Sequence, residues 1–220
     1  TLHAVKVLSR SGSGSFSDII AGIDWVAAET AARGEVSVAN MSLGGGGSKS
    51  GTCTSSGFSG SDNFHRAICE AKNGGVVFAV AAGNDGGDAM NATPAAYDDA
   101  VITVSATSIS DDWPSWSNYG DNSASWTSHN SAPVGIAAPG VSIPSTWNNG
   151  GTNTISGTSM ASPHVAGGLA LILASTNQSL NGSAFENARS IMLGSDESTS
   201  SFSNSSGNPH DEDFLDASSL

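Results

Sequence analysis

Val76 to Ala81 restricts what this chain can fold into more than any other segment: it is an unbroken apolar run, bounded by Asn73-Gly74-Gly75 before it and Gly83 after it. A strand with one wet face alternates apolar and polar residues. A continuous run implies a strand buried on both faces, as in a parallel sheet covered by helices on each side. The neighbouring segments agree with that architecture. Ser15 or Ser17 can cap a helix whose apolar positions Ile19, Ile20, Ile23, Val26, Ala27 and Ala31 recur with a 3.6-residue period and end near Gly34. Val36 to Leu43 reads as a strand running into Gly44–Gly47, and Lys49 to Gly60 as a Ser/Gly loop carrying Cys53. Asp62 to Lys72 presents Phe64, Ala67, Ile68 and Ala71 on one helical face.

Leu2 to Leu8 alternates like a strand already inside a fold, and Val101 to Ala106 and Ile136 to Ala138 supply further strands. A polar, Trp-rich excursion from Asp111 to Pro133 separates the last two. Helical patterning returns at Ser159 to Ser175 and Leu180 to Leu193. The stretch from Gly194 to Pro209 reads as loop, with Phe214 and Leu215 as a final anchor. Strands alternating with helices define an α/β protein, and the absence of repeats or linkers makes residues 1–220 one domain.

Charge narrows the partners. A formal charge of −13 disfavours nucleic acid and anionic membrane surfaces, and no apolar run reaches the length of a membrane span. Cys53 and Cys69 are the only cysteines. In a Ser- and Asn-rich, Lys-poor chain such a pair suggests one disulfide in an exported protein, the alternative being two free buried thiols. A disulfide requires their Cα atoms to lie within about 7 Å.

The chemistry is concentrated near Ser159. A serine nucleophile needs an exposed hydroxyl, a base, and donors facing the oxyanion that forms. Gly157-Thr158 gives a turn with room for substrate, and a helix starting at Ser159 would aim free N–H groups at the reaction centre. Pro163 is read as tolerated because the first turn lacks intrahelical N–H bonds. On its own, a serine at a helix start is a cap.

The full run Gly157-Thr158-Ser159-Met160-Ala161-Ser162-Pro163-His164-Val165-Ala166-Gly167 resembles the nucleophile motif of the subtilisin-like serine protease (subtilase) family at every position. The resemblance implies that Ser159 is the nucleophile. Ala81-Ala82-Gly83-Asn84 resembles the loop whose asparagine donates to the oxyanion, which gives Asn84 that role and places Ala82 and Gly83 against substrate. In subtilisin, loss of that donor costs roughly a hundred- to a thousandfold in turnover. Asn40-Met41-Ser42-Leu43-Gly44-Gly45 looks like the edge that pairs with extended substrate, with Ser42, Leu43 and Gly44 lining the primary pocket. Ala138-Pro139-Gly140-Val141 matches a structural turn, and Thr93-Pro94 the family's cis-proline. The implied fold is a three-layer subtilisin-like α/β architecture with a mostly parallel sheet, incomplete on its N-terminal side.

The family's other triad members, an aspartate in an Asp-Thr-Gly or Asp-Ser-Gly setting and a histidine in a His-Gly-Thr setting, belong upstream of the region matching Leu2. Neither motif occurs in residues 1–220, which therefore read as a truncated peptidase domain. Each histidine present has a plainer role than general base: His3 in a strand, His65 on a helix, His129 and His210 in polar loops, and His164 beyond the nucleophile on its own helix. No cofactor is required. The family often binds calcium near the segment matching Pro94 to Ala100, but Gly135 stands near where an acidic ligand is expected, and Asp98 and Asp99 read as solvated carboxylates, the alternative being that they take the missing ligand's place in a calcium site. The expected substrate is a polypeptide and the expected location extracellular. Three functions compete: a secreted endopeptidase, a non-catalytic peptide binder, and one part of a split enzyme completed by a separate N-terminal fragment. A swapped homo-oligomer is the other way to fill the sheet.

Overall fold

Ser15 starts the first helix, its side-chain oxygen accepting from the Asp18 amide, and Gly34 closes it in the left-handed region at φ 67°. The computed structural model describes residues 1–120, 133–195 and 204–219. Its elements in chain order are α1 (Phe16–Arg33), β1 (Ser37–Met41), β2 (Gly45–Gly46), β3 (Thr52–Thr54), β4 (Gly57–Ser59), α2 (Asn63–Asn73) and β5 (Val76–Ala81). They continue with β6 (Ala92–Thr93), β7 (Ile102–Thr107), β8 (Val134–Pro139), β9 (Ile143–Thr146), β10 (Thr152–Ile155), α3 (Thr158–Ser175) and α4 (Ser183–Gly194).

The main sheet runs β1-β5-β7-β8, and every pairing in it is parallel. All six residues of β5 are buried, as the apolar run requires. Its side chains divide with the strand period of two. Val76, Phe78 and Val80 join Ile19 and Ile23 of α1 and Phe64 and Ile68 of α2. Val77 and Ala79 face the other way, onto Val165, Leu169 and Ile172 of α3 and Phe185 of α4. Helices therefore cover both faces, and each fully buried Ile, Leu or Phe contributes roughly 1.5–3 kcal/mol of transfer free energy.

Cys53 and Cys69 form a disulfide with Cα atoms 5.5 Å apart, and Thr93-Pro94 is cis. Leu2 to Leu8 departs from expectation, because it joins no ladder. Val5 and Val7 instead lie on α1 at Gly22, where an added Cβ would meet Val7 Cγ1 at 2.4 Å. The alternation is present, but an extended segment becomes a strand only when a neighbouring strand accepts its backbone groups. The outer edge of β1 likewise pairs with no strand among the described residues.

Two hairpins add to the elements expected from the sequence. β3 and β4 pair within the supposed Ser/Gly loop, burying Cys53, and β9 pairs with β10 across Asn148-Asn149-Gly150-Gly151. The excursion after Asp111 lies partly outside the described residues, but Trp113 is buried within it. Beneath it sits Glu212, fully buried, whose Oε1 accepts from the Trp113 indole at 3.0 Å, from His210 Nδ1 at 2.7 Å and from the Ser105 hydroxyl. Ala137 of β8 donates to Asp213 and accepts from Leu215, and Phe214 is buried beside it. His210, read as a loop residue, is thus part of a buried network.

Candidate active site

The carboxyl ends of parallel strands meet the start of α3 on one side of the sheet. β5 delivers Ala82-Gly83-Asn84, β1 delivers Ser42-Leu43-Gly44, and α3 presents Thr158-Ser159. Open α/β sheets bind ligands at this end. A cleft of about 460 Å³ is lined by Leu43, Gly44, Ala82, Gly83, Asn84 and Ser159, among others. Ser42 does not line it. A second hollow of about 410 Å³ lies across the Leu43-Gly44-Gly45 partition, lined by Ser42, Leu8, Phe16, Ile19 and Phe64. β6 takes one edge of the partition, with Gly45 opposite Thr93 and Gly46 opposite Ala92.

Thr158 organises the cleft, and motif matching assigns it no role. Its amide donates to Asn84 Oδ1 at 2.8 Å, its hydroxyl donates to the same oxygen at 3.1 Å, and that hydroxyl accepts from the Gly83 amide at 3.1 Å. Two donors on Oδ1 settle which end of the Asn84 amide is oxygen, leaving Nδ2 and its hydrogens free for an acceptor in the cleft. Asn118, buried, plays the matching part behind the loop: its Oδ1 accepts from the Asp85 and Gly87 amides and its Nδ2 donates to the Ala82 carbonyl. Gly83 is required there. It has φ 110°, and a Cβ would meet Asn118 Nδ2 at 2.3 Å.

Ser159 is half-buried at the start of α3. The helix begins at Thr158, so Pro163 is its sixth residue and the first-turn explanation fails. Lacking an amide hydrogen, Pro163 leaves the Ser159 carbonyl without its helical donor. Ser42 Oγ supplies one at 2.8 Å. Behind it, Asn40 Nδ2 donates to Ser42 Oγ at 3.0 Å, and the buried Ser162 hydroxyl donates to Asn40 Oδ1 at 2.7 Å. The proline and the strand edge are therefore complementary halves of one joint.

No histidine among the described residues hydrogen-bonds the Ser159 hydroxyl. His3 pairs with Arg33, His164 Nδ1 with the Met160 carbonyl, and His210 with Glu212. His129 lies outside the described residues. His65 is fully buried, its ring between the Ser50 carbonyl at 3.1 Å and Asp99 Oδ1 at 2.7 Å. Burial pushes the Asp99 carboxyl up, but hydrogen bonds from His65, the Cys53 amide and Lys49 outweigh it and hold the group down at about 2. Lys49 also pairs with Asp98 at 2.5 Å. Asp98 and Asp99 are thus engaged by protein donors rather than freely solvated. No group of three or more His, Cys, Asp or Glu side chains among the described residues is arranged to hold a metal ion.

A parallel sheet between helical layers, with a helix-borne serine and an asparagine amide sharing one cleft, defines the subtilisin-like class of α/β proteins. The subtilase family profile matches residues 1–209, and the chain belongs to that family. Over 169 residues it is 45% identical to alkaline serine protease ver112 of Corniculantispora psalliotae, an overlap covering 76% of this chain and 38% of that protein. Over 168 residues it is 44% identical to a cuticle-degrading protease of Metarhizium anisopliae, covering 76% and 37%. The crystal structure of a cold adapted subtilisin-like serine proteinase matches with a TM-score of 0.76 at 37% identity, covering 98% of this chain and 65% of that one. The chain spans well under half the length of the two fungal relatives. No described helix is long and apolar enough to cross a membrane.

Proposed function

We propose that this chain is the nucleophile-bearing part of a secreted serine endopeptidase of subtilisin type, cleaving polypeptides through an acyl-enzyme on Ser159. The observation that carries the reading is the Thr158 bracket, which holds Asn84 with its amide hydrogens free beside the residue that bears the nucleophile. Substrate extends along the Leu43-Gly44 partition, the Ser159 hydroxyl attacks the carbonyl carbon, and the oxyanion is received by Asn84 Nδ2 and the α3 N-terminus. No cofactor enters this scheme. The attacking hydroxyl must give up its proton, and the histidine that takes it is supplied by polypeptide outside residues 1–220. The open outer edge of β1 is where such a segment would add as a strand, with a second copy of the chain as the competing occupant. The Cys53–Cys69 disulfide supports an exported location.

A fluorophosphonate probe, which requires an activated serine, tests this directly. Ser159 in the chain alone should label slowly. Adding polypeptide that carries the family's Asp and His motifs should accelerate labelling by roughly a thousandfold or more. Rapid stoichiometric labelling of the chain alone would show a working base among its own residues. Peptide binding with no labelling under either condition would favour the non-catalytic reading, consistent with the absence of a histidine on Ser159 among the described residues.

A further inference from the structure

Asn84 can serve an oxyanion only if its side chain springs from the backbone in a fixed direction, and that direction is set by the two peptide planes flanking its Cα. One residue holds both. The Gly83 carbonyl, in the plane before Asn84, accepts from the Asn118 amide at 3.0 Å. The Asp85 amide, in the plane after it, donates to Asn118 Oδ1 at 2.9 Å. The same side chain reaches further along the loop, its oxygen accepting from the Gly87 amide at 3.1 Å and its nitrogen donating to the Ala82 carbonyl at 3.0 Å. Thr158 steadies the far end of the Asn84 side chain, but it cannot hold the backbone from which that side chain starts.

Asn118 is itself anchored at the back of the cleft, 3% exposed. On either side of it the Trp116 carbonyl accepts from the Gly86 amide at 2.9 Å, and the Tyr119 amide donates to the Gly87 carbonyl at 3.1 Å. Its neighbour Ser117, fully buried, accepts from the Ala106 amide of β7 at 2.9 Å. The Asn84 loop is therefore tied to the main sheet twice, through β5, from which it emerges, and through Asn118 to β7. Two N–H groups converging on one point with a carbonyl beside them call for an acceptor and a donor on one short planar group. Asparagine carries both, aspartate only the acceptor, and leucine neither.

We propose that Asn118 is the positioning residue for the oxyanion donor, setting where Asn84 Nδ2 points. This rests on the peptidase reading of the cleft. Equilibrium binding to the chain as it stands tests it, with acetyl-Ala-Ala-Ala-leucinal and the corresponding leucinamide as probes. The amide reads the cleft alone. The aldehyde also forms a hemiacetal: a bond forms between Ser159 Oγ and the aldehyde carbon, the C=O π bond opens, and the hydroxyl proton passes to the former carbonyl oxygen, which Asn84 Nδ2 receives. The aldehyde-to-amide affinity ratio thus reads the oxyanion site and cancels general damage to the cleft. Asn84→Ala should lower the ratio about tenfold or more. Asn118→Leu should lower it roughly tenfold while the amide affinity stays within about twofold. In the Asn84→Ala background Asn118→Leu should leave the ratio unchanged, because the group it positions is gone. Asn118→Asp, which keeps the acceptor for the Asp85 and Gly87 amides, should fall between the parent and Asn118→Leu, and it serves the same cycle if the leucine variant does not fold. A ratio unaffected by these changes at Asn118, or lowered equally in both backgrounds, overturns the positioning role and leaves Asn84 the donor. A ratio near one in the parent chain, or one that Asn84→Ala does not lower, removes the peptidase reading as well.

Discussion

Ser42→Ala probes how a proline is accommodated inside α3. The amide of residue 163 would ordinarily donate to the carbonyl of residue 159, and Ser42 Oγ occupies that place at 2.8 Å. Removing the hydroxyl leaves a partly buried carbonyl without its donor, at a cost of about 1–2 kcal/mol. The Asn40 amide, which also loses a partner, is exposed and turns to water, so it adds little. Pro163→Ala restores an amide at the required position, and because Pro163 is exposed the change opens no cavity. The Ser42→Ala penalty should therefore fall below about 0.5 kcal/mol in the Pro163→Ala background, a coupling of about 1 kcal/mol. Urea unfolding of the four proteins measures this from their midpoints, provided the slopes agree. Equal penalties in the two backgrounds would refute the argument that the serine hydroxyl stands in for the missing amide.

Asp99, held below its ordinary value, stabilises the fold above the usual carboxylate range and loses that contribution as pH falls from about 4 toward 2. The contribution is about 1–2 kcal/mol after allowance for solvent screening, so the melting temperature of the parent should decline more steeply through that window than that of Asp99→Asn. Gly83→Ala places a Cβ against Asn118 in left-handed backbone; a loss of more than about 2 kcal/mol in chemical denaturation is expected, accompanied by weaker peptide binding. Reduction of Cys53–Cys69, which are 16 positions apart, should lower stability by about 3 kcal/mol in the chain-entropy account. Free thiols should titrate in the native protein only after reduction.

The central strands and the four helices are legible because their signals are local: β5 carries its burial in its own composition, and α1 carries its cap and its stop. Leu2 to Leu8 misleads for the complementary reason, since alternation describes a strand's faces and says nothing about its edges. The β9–β10 hairpin is too short for periodicity to register. In the site, Ser159 and Asn84 stand inside recognisable runs, but their supports come from elsewhere in the chain. Thr158 reaches Asn84 across 74 positions, Asn118 reaches Asp85 across 33, and Ser42 reaches the Ser159 carbonyl across 117. Nothing in a lone asparagine such as Asn118 distinguishes it from any other loop residue. The Pro163 joint is not legible in the sequence because the donor that replaces its missing amide at the Ser159 carbonyl comes from Ser42, 117 positions away. Asp98 and Asp99 resemble surface acids until the loop bearing Lys49 and the helix bearing His65 are packed against them.

Glu212 bears on the order in which the molecule can be made. Ser105 and the Trp113 indole leave the ribosome 107 and 99 positions ahead of the carboxylate that accepts their hydrogens. Until it arrives, β7 and β8 hold a polar vacancy at the level of the sheet, and Ala137 has neither of its contacts to residues 213 and 215. A chain lacking Glu212 would leave the Ser105 hydroxyl and the Trp113 indole without this acceptor, and buried groups left unpaired in this way favour aggregation-prone intermediates. The packing of β7 against the loop bearing Trp113 therefore depends on a residue that lies 107 positions beyond Ser105 and 99 beyond Trp113.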